Sequence, residues 1–431
     1  MYLDRIKNFF KTLNYKYYIL FYILLNSIMP IVPVLTSKYL STYFYMIVVV
    51  VAILYTFYGC RLGLIRDFAF LLIPFIIYEM LTLFAMDNSD FLLAGYQVLL
   101  FMLPICLGYF LINTEANHKV IAALLVFIFT LTAITTIIGC IRYPNSARQL
   151  ASTSSSQDST ALFYGLNNIG GYGFVYMFVL IYPCVILAFK MKMLNIFIAI
   201  GYVILAFALC IYAEYTYAFL LVFVTSLLFF VKRDMSVTTF ILVLIGLIAF
   251  AFIFKTVIGN IMVRIGTAIG NETMTQKMAV VFLGQEAVGN FDDNRDALYM
   301  FSIKKFLENP FFGTFVTGYK ITGGHSFILD NLALYGLVGG GLMFLMYRAV
   351  YNTFYRPLTK EPGYCIIFWS FLQAILLSCI NTGMWQMSLC LITPVMACAI
   401  YGSGEYMRNT LEKRSAEINI RPLLPKKTSE E

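Results

Sequence analysis

The sequence predicts an all-α polytopic membrane protein of about 12 transmembrane helices with two enlarged extracytoplasmic loops. Three observations predict it. The 431 residues are 61% hydrophobic and only 12% charged, where soluble domains carry roughly 25% charged residues. The apolar residues fall into runs of spanning length. Lys and Arg are distributed unequally between alternate connections, as topology demands.

The runs occupy 17–36, 41–59, 68–85, 91–112, 120–140, 169–189, 194–213, 217–231, 236–254, 326–346, 364–381 and 386–403. The first is of membrane-spanning length rather than a short signal core, and Arg5, Lys7, Lys11 and Lys16 precede it. That flank sets the N-terminus in the cytosol. Only Glu214, Tyr215 and Thr216 separate the seventh run from the eighth. With this orientation the short connections carry twenty Lys/Arg on the cytosolic side and three outside. Both termini are then cytosolic, and the net charge of +8 is explained by topology without nucleic acid. The basic tail, Arg408 to Lys427, reads as a solvated end or a lipid-headgroup contact.

The chain 1–431 thus forms one integral membrane domain with two outer loops longer than connection requires. The first, 141–168, opens with Arg142 and Arg148 and has a Ser/Thr-rich centre that reads as flexible linker. The second, 255–325, is about 70 residues long, and loops of that size are usually functional. Within it Asp292, Asp293 and Asn294 form an N-cap cluster ahead of a short amphipathic helix. Tyr299, Ile303, Phe306 and Leu307 share one face of that helix, and Lys304, Lys305 and Glu308 lie away from it. Such a helix suits the membrane surface, and Pro310 ends it. Arg295 sits in its first turn, where a cation opposes the helix dipole. It becomes favourable if Arg295 and the free N–H groups hold an anion; the alternative is an ion pair with Asp292 or Asp293.

The loop ends at His325, where polar chain turns directly into the tenth apolar run. Ionisable groups at such a junction are costly and default to function; a helix-cap or headgroup contact is the alternative for His325. Gly336 and Gly340 form a GxxxG, which ordinarily marks close helix packing. Glu79 lies inside the third run, as a buried hydrogen-bonded acid or as part of a cavity. The nine cysteines lie almost all within apolar runs with no CxxC pair, and two histidines exclude a multi-histidine metal site. No GxxxxGK[ST], DxD or HExxH occurs. An enzyme at the outer face, away from cytosolic nucleotides, needs a substrate that carries its own activation, as lipid-linked diphosphates do.

Across 291–347 the pattern R-x14-P-x2-G-x11-H-S, followed by a span with Gly336 and Gly339, resembles the C-terminal region of the O-antigen polymerase and ligase superfamily. The segment 167–183, NNIGGYGFVYMFVLIYP, is similar to the span after the first large loop of Wzy-type polymerases of capsule and exopolysaccharide clusters. Many members carry Asn after the histidine; here it is Ser326. The resemblance implies a bacterial cytoplasmic-membrane glycosyltransferase that needs neither metal nor cofactor. Its substrate is an oligosaccharide on undecaprenyl diphosphate, and membrane lipids, a flippase and a chain-length regulator are its implied partners. In the implied chemistry Arg295, with Arg148 or Arg142, stabilises charge developing on the leaving diphosphate. Neutral His325 accepts the acceptor hydroxyl's proton, and Asp330 orients His325 or pairs with an arginine. Two other readings are a ligase that passes finished glycan to lipid A core or protein, and a flippase or other transporter without chemistry. The absence of an internal repeat and the one-sided large loops weigh against the transporter.

Overall fold

The structure is a computed structural model that describes residues 15–402 except 41, 60–61, 86–90, 114–116, 153–158, 269, 271, 285–294 and 318–320. Among these residues every regular element is helical. The expected N-cap Asp292–Asn294, the centre of the Ser/Thr run and the basic tail lie outside the described residues, as does the side chain of Arg295.

From the second run onward each apolar run contains a helix. These are α3 Thr42–Gly59, α4 Leu62–Ala85, α5 Phe91–Ile112, α6 His118–Arg142, α9 Tyr172–Lys190, α10 Ile196–Tyr212, α11 Thr216–Leu227, α12 Val237–Ile253, α16 Phe327–Val350, α17 Tyr364–Ile380 and α18 Thr393–Tyr401. Three of them start on side-chain caps, with Asn117, Asn195 and Ser326 accepting from Val120, Ile198 and Leu329 N–H. A cap there satisfies an N–H that lipid would leave orphaned. On length and apolarity, four helices among the described residues can cross a membrane, five if a bent pair counts as one span. Exposed phenylalanines ring the bundle, among them Phe70, Phe127, Phe197, Phe230 and Phe344. Soluble monomers do not expose apolar surface on that scale, whereas lipid solvates it. The helix α9 lies at the centre, 78% buried where α6 is 44% buried. It packs on α10, α11, α17 and α18.

The first run departs from a straight span. It forms α1 Tyr15–Ile28 and α2 Ile31–Tyr39, bent by 111°. Pro30 and Pro33 lack the N–H groups that would carry the helix through. The arm α2 folds back onto α8 Ser159–Leu166, close enough that a Cβ on Gly165 would meet Val34 Cγ2 at 2.6 Å.

Alternate connections gather at opposite ends of the bundle. At one end Tyr215 hydroxyl donates to Ala147 O (2.9 Å), Phe327 N–H to Asn381 O (2.7 Å) and Tyr299 hydroxyl to Ile380 O (3.2 Å). At the other, Lys190 Nζ donates to Phe229 O (3.0 Å) and Val231 O (2.5 Å), and Tyr401 hydroxyl to Pro362 O (3.0 Å).

Both long loops hold more structure than expected. Beside α8, the first carries α7 Ser146–Ser152. The second carries α13 Lys255–Ala268, α14 Glu272–Leu283 and α15 Arg295–Glu308, with a 3-10 turn Gly313–Thr317. The pair α13 and α14 is a hairpin closed by small residues. A Cβ on Gly259 or Gly266 would come within 2.5 Å of Phe282 Cβ or Thr275 Oγ1.

The buried face of α15 also differs from expectation. Leu307 is 67% exposed and Met300 is exposed, while Ser302 is 1% exposed. Of the expected apolar face, Tyr299, Ile303 and Phe306 are half-buried and only Leu307 points away. The most buried position is the polar Ser302, which turns toward Asp330 inside the protein.

Candidate functional site

Asp330 organises the junction between the second loop and α16. Its Oδ1 accepts from Ser302 hydroxyl (2.6 Å) and Gly324 N–H (3.2 Å), and its Oδ2 from Ser326 N–H (3.1 Å). Ser302 Oγ in turn accepts from Gly323 N–H (2.9 Å), and Ser326 Oγ from Leu329 N–H (3.1 Å). A carboxylate in the first turn also complements the helix dipole. The residues on both sides of His325 are therefore fixed by one buried carboxylate, and His325 itself is exposed. Asp330 was expected to orient the imidazole or to pair with an arginine. Its oxygens instead meet backbone N–H groups and a serine, so it fixes the loop rather than the ring. Asp330→Ala would strand three donors and should cost on the order of 3 kcal/mol. Thermal unfolding in detergent measures this, and an unshifted midpoint would contradict the assignment.

Six residues beyond Asp330, α16 breaks. Gly336 has φ 59° and ψ −150°, a region essentially reserved for glycine. The chain 310–313 enters the break: Leu337 N–H donates to Pro310 O (2.8 Å) and Val338 N–H to Phe311 O (3.2 Å). A Cβ on Gly336 would meet the Phe311 carbonyl at 2.5 Å, and one on Gly313 (φ 66°) the Leu334 carbonyl at 2.3 Å. The GxxxG was expected to serve helix packing. Gly336 instead admits backbone from the second loop, which satisfies the N–H groups freed by the break. Gly336→Ala should destabilise by roughly 2–4 kcal/mol, from a conformation alanine avoids and from overlap with fixed backbone. The same unfolding measurement checks it, and wild-type stability would rule the break out.

Beneath the loop, α4 packs on α16 through a polar layer. Tyr78 hydroxyl donates to Asn331 Oδ1 (2.7 Å), and Asn331 Nδ2 donates to Phe327 O (2.6 Å). Tyr335 hydroxyl donates to Thr82 Oγ1 (3.4 Å). Glu79, left open by the sequence, is a buried member of this layer.

The first loop supplies two arginines. Arg142 ends α6, Arg148 lies on α7, and both are exposed. Next to Arg148 stands a pair that sequence reasoning passed over. Glu214 (φ 64°) is buried, and Asn145 (φ 64°), with its amide nitrogen toward it, donates to its Oε1 and Oε2 at 2.9 and 2.6 Å. Burial pushes the Tyr215 hydroxyl well above its ordinary pKa, with the nearby Tyr176 adding to it, so Tyr215 keeps its proton as donor to Ala147.

The connection 381–386 joins the two regions. At one end Asn381 O accepts from Phe327 N–H. At the other, Trp385 (φ 61°) packs on Tyr176 and Tyr172 with ring centroids 5.4 and 6.0 Å apart. Tyr172 and Tyr176 in turn pack on Tyr215, at 5.6 and 5.8 Å. The Trp385 indole N–H is buried without an acceptor among the described residues. Arg295 is the first residue of α15. One turn on, Leu298 O lies 2.2 Å from where a Cβ of Gly323 would stand, so the backbone of Arg295 is about one helical turn, roughly 5 Å, from the level of the His325 loop.

Comparison with protein-family models, curated proteins and solved structures finds no match.

Proposed function

We propose that the chain is a twelve-span polysaccharide repeat-unit polymerase of the bacterial cytoplasmic membrane. It transfers a glycan from undecaprenyl diphosphate to a hydroxyl of another lipid-linked repeat unit at the outer face. The observation that supports this reading is the exposed His325, on a loop anchored on both sides by Asp330 at the mouth of a broken helix, with the backbone of the first turn of α15 running beside that loop. In the proposed reaction an acceptor hydroxyl attacks the anomeric carbon of the donor sugar. The bond from that carbon to the diphosphate oxygen breaks, the hydroxyl proton passes to His325, and the diphosphate leaves with its charge held by Arg295. Arg148 and Arg142, from the first loop, would meet the diphosphate of a second lipid-linked substrate or the far side of the first. Tyr172 and Trp385 between them offer ring faces to the sugars.

The break at Gly336 favours a second reading, transport, because discontinuous helices mark substrate sites in transporters. The lipid-linked glycans of a deletion strain separate the readings. Loss of a polymerase leaves single repeat units on the outer face, loss of a ligase leaves long chains on the carrier, and loss of a flippase strands repeat units on the cytosolic side. Orientation is tested by single cysteines introduced into a background without native cysteines and labelled with an impermeant thiol reagent. Ser155 and Gly324 should label from outside, and Lys192, Thr359 and Ser415 should not. Protection of Gly324 would remove His325 from the outer face and end the proposal.

A further inference from the structure

At the end of the bundle opposite His325, a cleft of about 440 Å³ opens between α4 and α16. Ile73 and Pro74 on one side and Leu345 on the other make its wall apolar. Pro74 lies inside α4, where its missing N–H and ring interrupt regular helix geometry. The far end of the cleft is polar, formed by Arg348, Asn352 and Arg356. All three are exposed. Among the described residues no carboxylate forms an ion pair with either guanidinium.

The backbone brings these side chains to one face. Eight residues of regular α-helix would rotate Arg356 about 80° away from Arg348. Residues Tyr351–Tyr355 form a π turn instead. An i→i+5 turn is wider and removes part of that rotation, and such turns recur at functional sites. Two planar cations with no ion pair among the described residues, and an amide, thus stand over a groove whose walls reject water.

We infer that this cleft holds one anionic phospholipid of the surrounding membrane, with acyl chain along Ile73, Pro74 and Leu345 and phosphate on Arg348, Arg356 and Asn352. Guanidinium matches phosphate oxygens bidentately, and an apolar groove ending in paired cations fits a molecule built as tail and charged head. The inference rests on membrane embedding alone and is independent of any glycan chemistry.

The test uses the full chain purified in non-ionic detergent, with bound lipid counted by native mass spectrometry. Phosphatidylglycerol and phosphatidylcholine of matched acyl chains are titrated in mixed micelles. The wild-type protein should hold about one phosphatidylglycerol and prefer it over phosphatidylcholine by roughly thirtyfold, as two arginines at a charged headgroup supply. The double substitution Arg348→Ala, Arg356→Ala should abolish that preference. Leu345→Trp, which fills the groove and leaves both arginines, should displace the lipid too. Lys232→Ala, an exposed cation outside the cleft, should change nothing. Equal binding of the two lipids by the wild-type protein overturns the inference without any variant. So does phosphatidylglycerol binding unchanged in the double variant. Competition by inorganic phosphate, with Leu345→Trp binding lipid as before, would mean a free-anion site and would also overturn it.

Discussion

His325→Ala is expected to lower turnover by about two to four orders of magnitude, the range for a positioned proton acceptor, while the unfolding midpoint stays at the wild-type value. The two halves of this expectation have separate origins. The loop's position is fixed by Asp330 and Ser302 through Gly323, Gly324 and Ser326. The exposed imidazole takes no part in that network, so its removal leaves the scaffold intact. His325→Gln keeps a hydrogen-bonding side chain but no base, and should fail nearly as badly. Asp330→Ala gives the opposite signature, with stability falling first and activity following it. Near-normal product from His325→Gln would make His325 a positioning residue for the acceptor and assign proton transfer to another group or to the departing diphosphate.

Arg295→Ala should abolish polymerisation at normal protein abundance. Arg295 opens α15, with Asp296 beside it in the first turn. A cation at a helix N-terminus is disfavoured on its own, and an anion bound there by the guanidinium and the free N–H groups reverses the sign. In the proposed reaction the diphosphate leaving group gathers charge as its bond to the sugar breaks, so such a contact would strengthen toward the transition state and lower the barrier. Arg295→Lys keeps the charge and loses the planar fork, and should impair polymerisation substantially without abolishing it. If Arg295 serves only to pair with Asp292 or Asp293, Arg295→Ala should lower abundance and leave the specific activity of the remaining protein unchanged.

The helices were legible where one physical rule governed them. Apolar runs became helices because lipid-facing backbone must bond within its own segment, and Phe91–Ile112 matches its run to the residue. The start of α16 was legible as well, since Ser326 is a good N-cap where polar chain meets apolar. What escaped were features decided by distant pieces of chain. The bend after α1 follows from Pro30 and Pro33, but the docking of α2 onto α8 depends on the bare surface of Gly165. Gly336 was visible as a glycine, yet nothing local shows that residues 310–313 return to fill the break. Ser302 carried no local signal because its partner, Asp330, lies 28 residues on. Glu214 passed as a spacer because its donor, Asn145, comes from another loop. In the candidate site His325 and Arg295 were singled out by the helix signals around them, whereas Trp385, in a short connection between two apolar runs, carried no signal beyond being a Trp outside a helix.

The central claim, glycan polymerisation at the His325 face, is tested most directly with the purified protein in nanodiscs. The substrate is the lipid-linked repeat unit extracted from a strain lacking this chain, and products are separated by size. The account predicts a ladder of lipid-linked oligomers spaced by one repeat unit, formed without nucleotide sugar or added metal and lost in His325→Ala. Monomer that stays monomer with folded wild-type protein, while the same nanodiscs move the lipid-linked unit between leaflets, would contradict it.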